Sequence, residues 1–299
     1  IVLLNLFPFN FLKSLIVSLI GFISSSTLIQ NFESISLSIY IILFCFSYLI
    51  LLTNKWKTEI DNRIDYSKSV TINETKRLMH QTLKRYFGDI LSDKIIKDDG
   101  VVTGETKWVT ICFTDISAYS TIVEYMSPAV AVDFLNQYFT SMHNVIEKHH
   151  GQILNYIGDS IMIVFGAPNN LKNHEAISVK CAIEMRKELK ILNDIWDKSE
   201  LSRYWKNHGI EHIEARIGLH TGNVIAGNIG SDKMLQYSTI GDVVNVASRL
   251  EQANKNFKTE ICMSQEVHTA LTKDLIVNSR FAGEITLKGR DTSSKVFTI

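Results

Sequence analysis

The chain has 299 residues, 45% of them hydrophobic, with 31 Lys+Arg balanced by 31 Asp+Glu; this composition excludes intrinsic disorder and indicates one or two folded domains. A formal net charge of zero leaves no basic footprint for nucleic acid, and no such partner is expected. The four cysteines, Cys45, Cys112, Cys181 and Cys262, show no CxxC or other ligand spacing, which argues against a disulfide framework and fits a reducing compartment.

The composition breaks near residue 53. Before it, SLIVSLIGFISSSTLI (14–29) and SISLSIYIILFCFSYLILL (34–52) carry no charge, and the second approaches the roughly 20 residues a helix needs to cross a bilayer. Residues 1–53 therefore read as a transmembrane helical hairpin, with a signal peptide plus one span, or two buried helices, as the alternatives. Lys13, Lys55 and Lys57 flank the pair on one side, so the positive-inside rule places everything after residue 53 on the cytoplasmic side of an inner or plasma membrane. Residues 54–91 are polar, lack proline and hold one glycine, Gly88. They predict a helical linker, either a coiled coil or a solvated amphipathic helix.

Residues 92–299 make the third predicted domain, with a mixed pattern. TKWVTICFT (106–114) alternates as a strand does. SPAVAVDFLNQYFTSMHNVIEKHHG (127–151) offers Ser127 as N-cap, Pro128 in the first turn and Gly151 as a stop. Phe134, Leu135, Tyr138, Phe139, Met142, Val145 and Ile146 recur there at three- and four-residue steps, the mark of a buried helix face. QILNYIGDSIMIVFG (152–166) reads as two strands around a turn at Gly158 and Asp159, followed by a helix over 174–194 and a strand IEARIGLHTG (213–222). This order predicts an α+β fold of the ferredoxin-like, split βαβ type, with helices covering one face of a mainly antiparallel sheet.

In that fold the first strand and the hairpin lie side by side, so Asp115 in FTDISAYS (113–120) and the turn residue Asp159 come close together. Two carboxylates in such a place repel each other unless protons or cations intervene, and hard oxygen ligands favour Mg²⁺ or Mn²⁺. Two unrelated turn aspartates are the plainer reading, and the pattern alone leaves both open.

Five blocks, FTDISAYS, NYIGDSIMIVFGAP (155–168), RIGLHTGNVIAGNIG (216–230), YSTIGDVVNVASRLE (237–251) and ITLKGR (285–290), stand in the order and spacing of the class III nucleotidyl cyclases. The chain resembles that family over about residues 80–299, and the two aspartates, 159 − 115 = 44 positions apart, suit it. The resemblance implies a phosphorus–oxygen lyase that converts a nucleoside triphosphate into a 3′,5′-cyclic monophosphate and pyrophosphate for intracellular signalling. It implies Asp115, Asp159 and the Ile116 carbonyl as ligands of two Mg²⁺ or Mn²⁺ ions. Asn245 and Arg249 match the residues that orient the ribose and stabilise charge at the α-phosphate, and Lys288, with Arg290 as substitute, matches the lysine on the terminal phosphates. A homodimer is implied as well, in which one subunit gives Asp115 and Asp159 and the other gives Asn245, Arg249 and Lys288.

Base choice departs from the family's patterns. Adenylyl members commonly carry Lys four residues before the second aspartate and Asp or Thr seven before the ribose Asn, and guanylyl members carry Glu and Cys. Here those positions hold Asn155 and Ser238. The lack of an acid for the guanine N–H edge favours ATP, with GTP next and pyrimidine triphosphates open. The rival readings are a catalytically silent regulatory domain, a diguanylate cyclase, whose GGDEF hairpin contrasts with YIGDS, and a membrane receptor whose cytoplasmic domain only binds a partner.

Overall fold

The computed structural model describes residues 34–97, 104–231, 233–286 and 293–299. The chain divides into two compact units, Ile1–Thr82 and Leu83–Ile299. Helix α1 (Ser34–Lys97) carries the described part of the first unit and the start of the second, and its backbone leaves helical geometry at Gly88 (φ 75°, ψ 171°). Residues 54–87 are thus helical, and Ile60, Ile64 and Leu78 lie exposed along them. Among the described residues no helix is long and apolar enough to cross a membrane, so the expected hairpin finds no support in the structure. Its first run, 14–29, lies outside the described residues, and its second, 34–52, begins α1.

In the second unit, β1 (Glu105–Ile116), α2 (Pro128–Lys148), β2 (Gln152–Ile157), β3 (Ser160–Phe165), α3 (His174–Lys198) and β4 (Ala215–Ser231) follow in turn. They are succeeded by β5 (Met234–Ile240), α4 (Asp242–Phe257), β6 (Ile261–Ser264), β7 (Arg280–Thr286) and β8 (Ser293–Thr298). One sheet runs β2-β3-β1-β4-β6-β8-β7, with β5 hydrogen-bonded to β4. Every pairing is antiparallel except β4 with β6. The inner order β2-β3-β1-β4, with α2 and α3 between its strands in sequence, is the ferredoxin-like split βαβ expected from the pattern.

Helix α2 starts where the sequence places it. Ser127 is the N-cap, its Oγ accepting the Val130 N–H, and Pro128 opens the helix. Phe134 and Tyr138 are fully buried and Met142 nearly so. They join Val179, Ala182 and Met185 of α3 over Cys112, Ile116, Ile161 and Ile163 of the sheet.

The expectation that helices cover one face is corrected. Val109 and Ile111 of β1, with Met162 and Val164 of β3, face the other way and pack against Val243 and Ala247 of α4 and Leu91 of α1. The reason is readable in β1 itself: Val109 to Cys112 is buried without interruption, the pattern of a strand covered on both sides. Two boundaries move as well. Strand β4 runs to Ser231 rather than ending at 222, because β5 pairs with its second half. The last part of the expected linker belongs to the second unit, where Leu91 is 3% exposed and the Gln152 side-chain amide donates to the Phe87 carbonyl at 3.1 Å.

Candidate active site

Strand alternation aims Asp115. Thr114 and Ile116 face α2, Thr114 Oγ1 lying 3.4 Å from the Tyr138 hydroxyl, so Asp115 between them points to the side that α4 covers. Asp159 arrives from the hairpin turn. Ile157 pairs with Ser160, leaving Gly158 and Asp159 as a two-residue loop, and Gly158 takes the positive φ (64°) that such a loop requires.

The two carboxylates are held by each other's neighbours. Asp159 Oδ2 accepts the Ile116 N–H at 3.1 Å, and the Ser160 hydroxyl donates to Asp115 Oδ1 at 2.6 Å. Burial first, and then the negative charge of Asp115, push the Asp159 carboxyl up to about 6. The structure therefore brings together Asp115, Ile116 and Asp159.

Two charged residues that the sequence reading missed complete the centre. Arg216 stands directly across from Asp115 in the β1–β4 ladder, and its guanidinium pairs with Asp115 Oδ2. Its Nε lies 3.1 Å from Glu251 Oε1 on α4. Glu251 is held close because β4 carries glycine beneath it: a Cβ on Gly218 would stand 2.1 Å from the Glu251 backbone nitrogen. Burial, reinforced by the Asp115 charge and opposed by Arg216, pushes the Glu251 carboxyl up to about 7. Both residues lie within quoted blocks, RIGLHTG and SRLE, and pairing β1 antiparallel with β4 was the signal that would have exposed Arg216. A cavity of about 330 Å³ opens here, bounded by Asp115, Ser160, Arg216, Ser248, Glu251 and Gln252.

The donor set fits a divalent cation. Among the described residues no three His, Cys, Asp or Glu side chains cluster as metal ligands. Mg²⁺, however, is commonly held by one or two carboxylates, with water and substrate phosphates filling its shell. Two carboxylates kept close enough for the charge of one to raise the pKa of the other suit that role.

The other expected residues lie elsewhere. Asn245 is exposed and Arg249 half-buried on α4, one turn apart, and neither lines the Asp115 cavity. Asn155, exposed on β2, lines a separate cavity of about 700 Å³ with Gln152, Gln236 and Tyr237. Ser238 is half-buried on β5, paired with Gly227. Lys288 and Arg290 fall outside the described residues.

Fold and site together define an α+β domain whose central strand ends on one of two converging carboxylates. Residues 101–299 match the family described as the adenylate and guanylate cyclase catalytic domain, and the chain belongs to that family. Adenylate cyclase 1 of Rhizobium meliloti is 34% identical over 205 residues, 68% of this chain and 29% of that protein. An adenylate cyclase of Anabaena cylindrica is 28% identical over 243 residues, 80% of this chain and 46% of that protein. The chain thus spans less than half the length of either relative. Among solved structures, the adenylyl cyclase CyaB from P. aeruginosa superposes with a TM-score of 0.54 at 29% identity, covering 65% of this chain and 94% of that one. The guanylyl cyclase Cya2 does so with a TM-score of 0.55 at 28% identity, covering 66% and 93%.

Proposed function

We propose that the protein is a membrane-anchored, homodimeric cyclase that converts ATP into 3′,5′-cyclic AMP and pyrophosphate. The observation that carries this reading is the convergence of Asp115 and Asp159 at the end of β1, cross-held through Ile116 and Ser160, in a domain of the cyclase family. Asp115, Asp159 and the Ile116 carbonyl hold two Mg²⁺ or Mn²⁺ ions. Bound there, the ions supply positive charge to the triphosphate and lower the pKa of the attacking ribose 3′-hydroxyl. Asn245 orients the ribose, Arg249 meets the charge that develops at the α-phosphate and Lys288 grips the terminal phosphates. These three come from the second subunit, which accords with the absence of Asn245 and Arg249 from the lining of the Asp115 cavity. Asn155 and Ser238 meet the base, and with no carboxylate at either position the adenine edge is favoured over guanine.

The anchor rests on the uncharged runs 14–29 and 34–52 and on the exposed apolar side chains of the second, with Ile42 at 67%, Phe46 at 62% and Leu51 at 65% exposure. The deciding experiment incubates the purified full chain with ATP, GTP, CTP or UTP and Mn²⁺ and reads the products by mass. Cyclic AMP is expected from ATP, and Asp115→Ala should lower its formation by about 10²-fold or more. Cyclic GMP as the main product would transfer the assignment to GTP, and no cyclic product from any of the four would leave a silent regulatory domain.

A further inference from the structure

Both oxygens of Asp115 are engaged by protein donors, Oδ1 by the Ser160 hydroxyl and Oδ2 by the Arg216 guanidinium. A Mg²⁺ or Mn²⁺ ion approaches a carboxylate oxygen to about 2.1 Å, so an ion on Asp115 would stand close beside those donors. The Ser160 hydroxyl can rotate its hydrogen away and remain as a neutral oxygen. Arg216 cannot: a guanidinium is always charged and has no lone pair to offer a cation. Its charge opposes that of an ion bound to the same carboxylate, which favours its leaving Asp115, and the cross-strand register opposite Asp115 fixes its backbone, so the departure is a side-chain movement.

A second carboxylate is waiting for it. Glu251 Oε1 lies 3.1 Å from Arg216 Nε, yet both atoms are buried without a hydrogen-bond partner. Buried polar atoms left in that state are costly, so the contact is an ion pair with an unused hydrogen bond still to be made. One cation thus stands between two carboxylates, paired with the first and within reach of the second.

We propose that Arg216 is a resident counter-ion that neutralises Asp115 in the metal-free enzyme and passes to Glu251 when a divalent cation binds, so that the Arg216–Glu251 pair sets the affinity for metal. The inference rests on the reading of Asp115 as a metal ligand. In it Arg216 and Glu251 are positioning residues that act through Asp115.

The test is a Mn²⁺ titration of the full chain in detergent without nucleotide, read by the electron paramagnetic resonance signal of free Mn²⁺. Arg216→Gln should tighten binding by about 10-fold or more, the scale on which a neighbouring unit charge shifts ionic equilibria. Glu251→Gln should weaken it by about 3-fold or more in the wild-type background and have almost no effect on top of Arg216→Gln, since Glu251 acts through the arginine. Unchanged or weaker binding by Arg216→Gln, or the same loss from Glu251→Gln in both backgrounds, overturns the proposal. Should Arg216→Gln not fold, Arg216→Met takes its place, because it keeps the length of the side chain and removes the charge. It is expected to abolish the coupling to Glu251→Gln, and full retention of that coupling would overturn the exchange. Asp115→Asn separates the two levels. If Mn²⁺ binding survives that change, the metal reading and the proposal fail together; if binding is lost there but ignores Arg216→Gln, the counter-ion alone fails.

Discussion

Glu251 carries a pH dependence whose sign follows from its surroundings. Arg216 on β4 lowers its pKa, but burial together with the negative charges of Asp115 on β1 and Asp159 in the turn raises it further, to about 7 from an ordinary 4.5. The folded protein therefore binds the Glu251 proton more tightly than the unfolded chain does. The stability this group contributes is complete below about 4.5 and is lost as the pH rises through about 7. Glu251→Gln stays neutral at every pH. In melts of the metal-free protein, the Tm of wild type minus that of Glu251→Gln should fall steadily between pH 4.5 and 7, and a difference that is flat or rises with pH would contradict this account. At the scale of single residues, Asp115 and Asp159 were legible because each belongs to a local pattern, a strand end and a two-residue turn. Arg216 and Glu251 were not, because their contacts depend on pairing strands 101 positions apart and on the seating of α4. Reading Asn245 and Arg249 as the functional residues of α4 left Glu251, two positions beyond Arg249, without a role.

Among the elements, the seating of α4 on β4 does most to shape the centre. A Cβ at Gly218 would meet not flexible side chains but backbone, Glu251 N at 2.1 Å and Ala247 O at 2.3 Å. Neither atom can turn aside, so Gly218→Ala has to lift α4 from the strand. A cost of about 1–3 kcal/mol is expected from such overpacking, seen as a lowered urea midpoint. The same shift should part Glu251 from Arg216, giving Mn²⁺ binding weaker than in wild type. Unaltered stability and metal binding would show that the helix is seated by other contacts. The elements that the sequence revealed are those whose pattern is internal to them: α2 by its spaced apolar residues and its Ser127 cap, and the β2–β3 hairpin by Gly158 between two short apolar runs. The second helical layer escaped notice because α4 was read for its motif and not for Val243, Ala247 and Leu250, the buried residues that pack it against the sheet. The break at Gly88 has the same origin. A lone glycine in a helical pattern signals a weak point, but the burial of Leu91 beyond it follows only from the finished sheet.

At the level of the whole molecule, the residues assigned to chemistry divide into two groups. Asp115 and Asp159 converge on one cavity, whereas Asn245 and Arg249 sit on α4 and do not line it. A site assembled from two copies of the chain accounts for this division, since a twofold axis would bring the second group of one subunit to the first group of the other and make two equivalent centres. Such sharing has a consequence that no single-chain site reproduces. Asp115→Ala and Arg249→Ala homodimers each lose both centres, but a mixed dimer places both lesions in one centre and leaves the other intact. Co-expressing the two variants under separate tags and isolating doubly tagged protein should therefore recover about half the wild-type activity per dimer, from two preparations that are each nearly inactive alone. If doubly tagged dimers form and remain as inactive as their parents, Arg249 and Asp115 act within one chain. Catalysis would then require α4 to present Asn245 and Arg249 to the Asp115 cavity of its own subunit, a rearrangement that the close contact at Gly218 opposes.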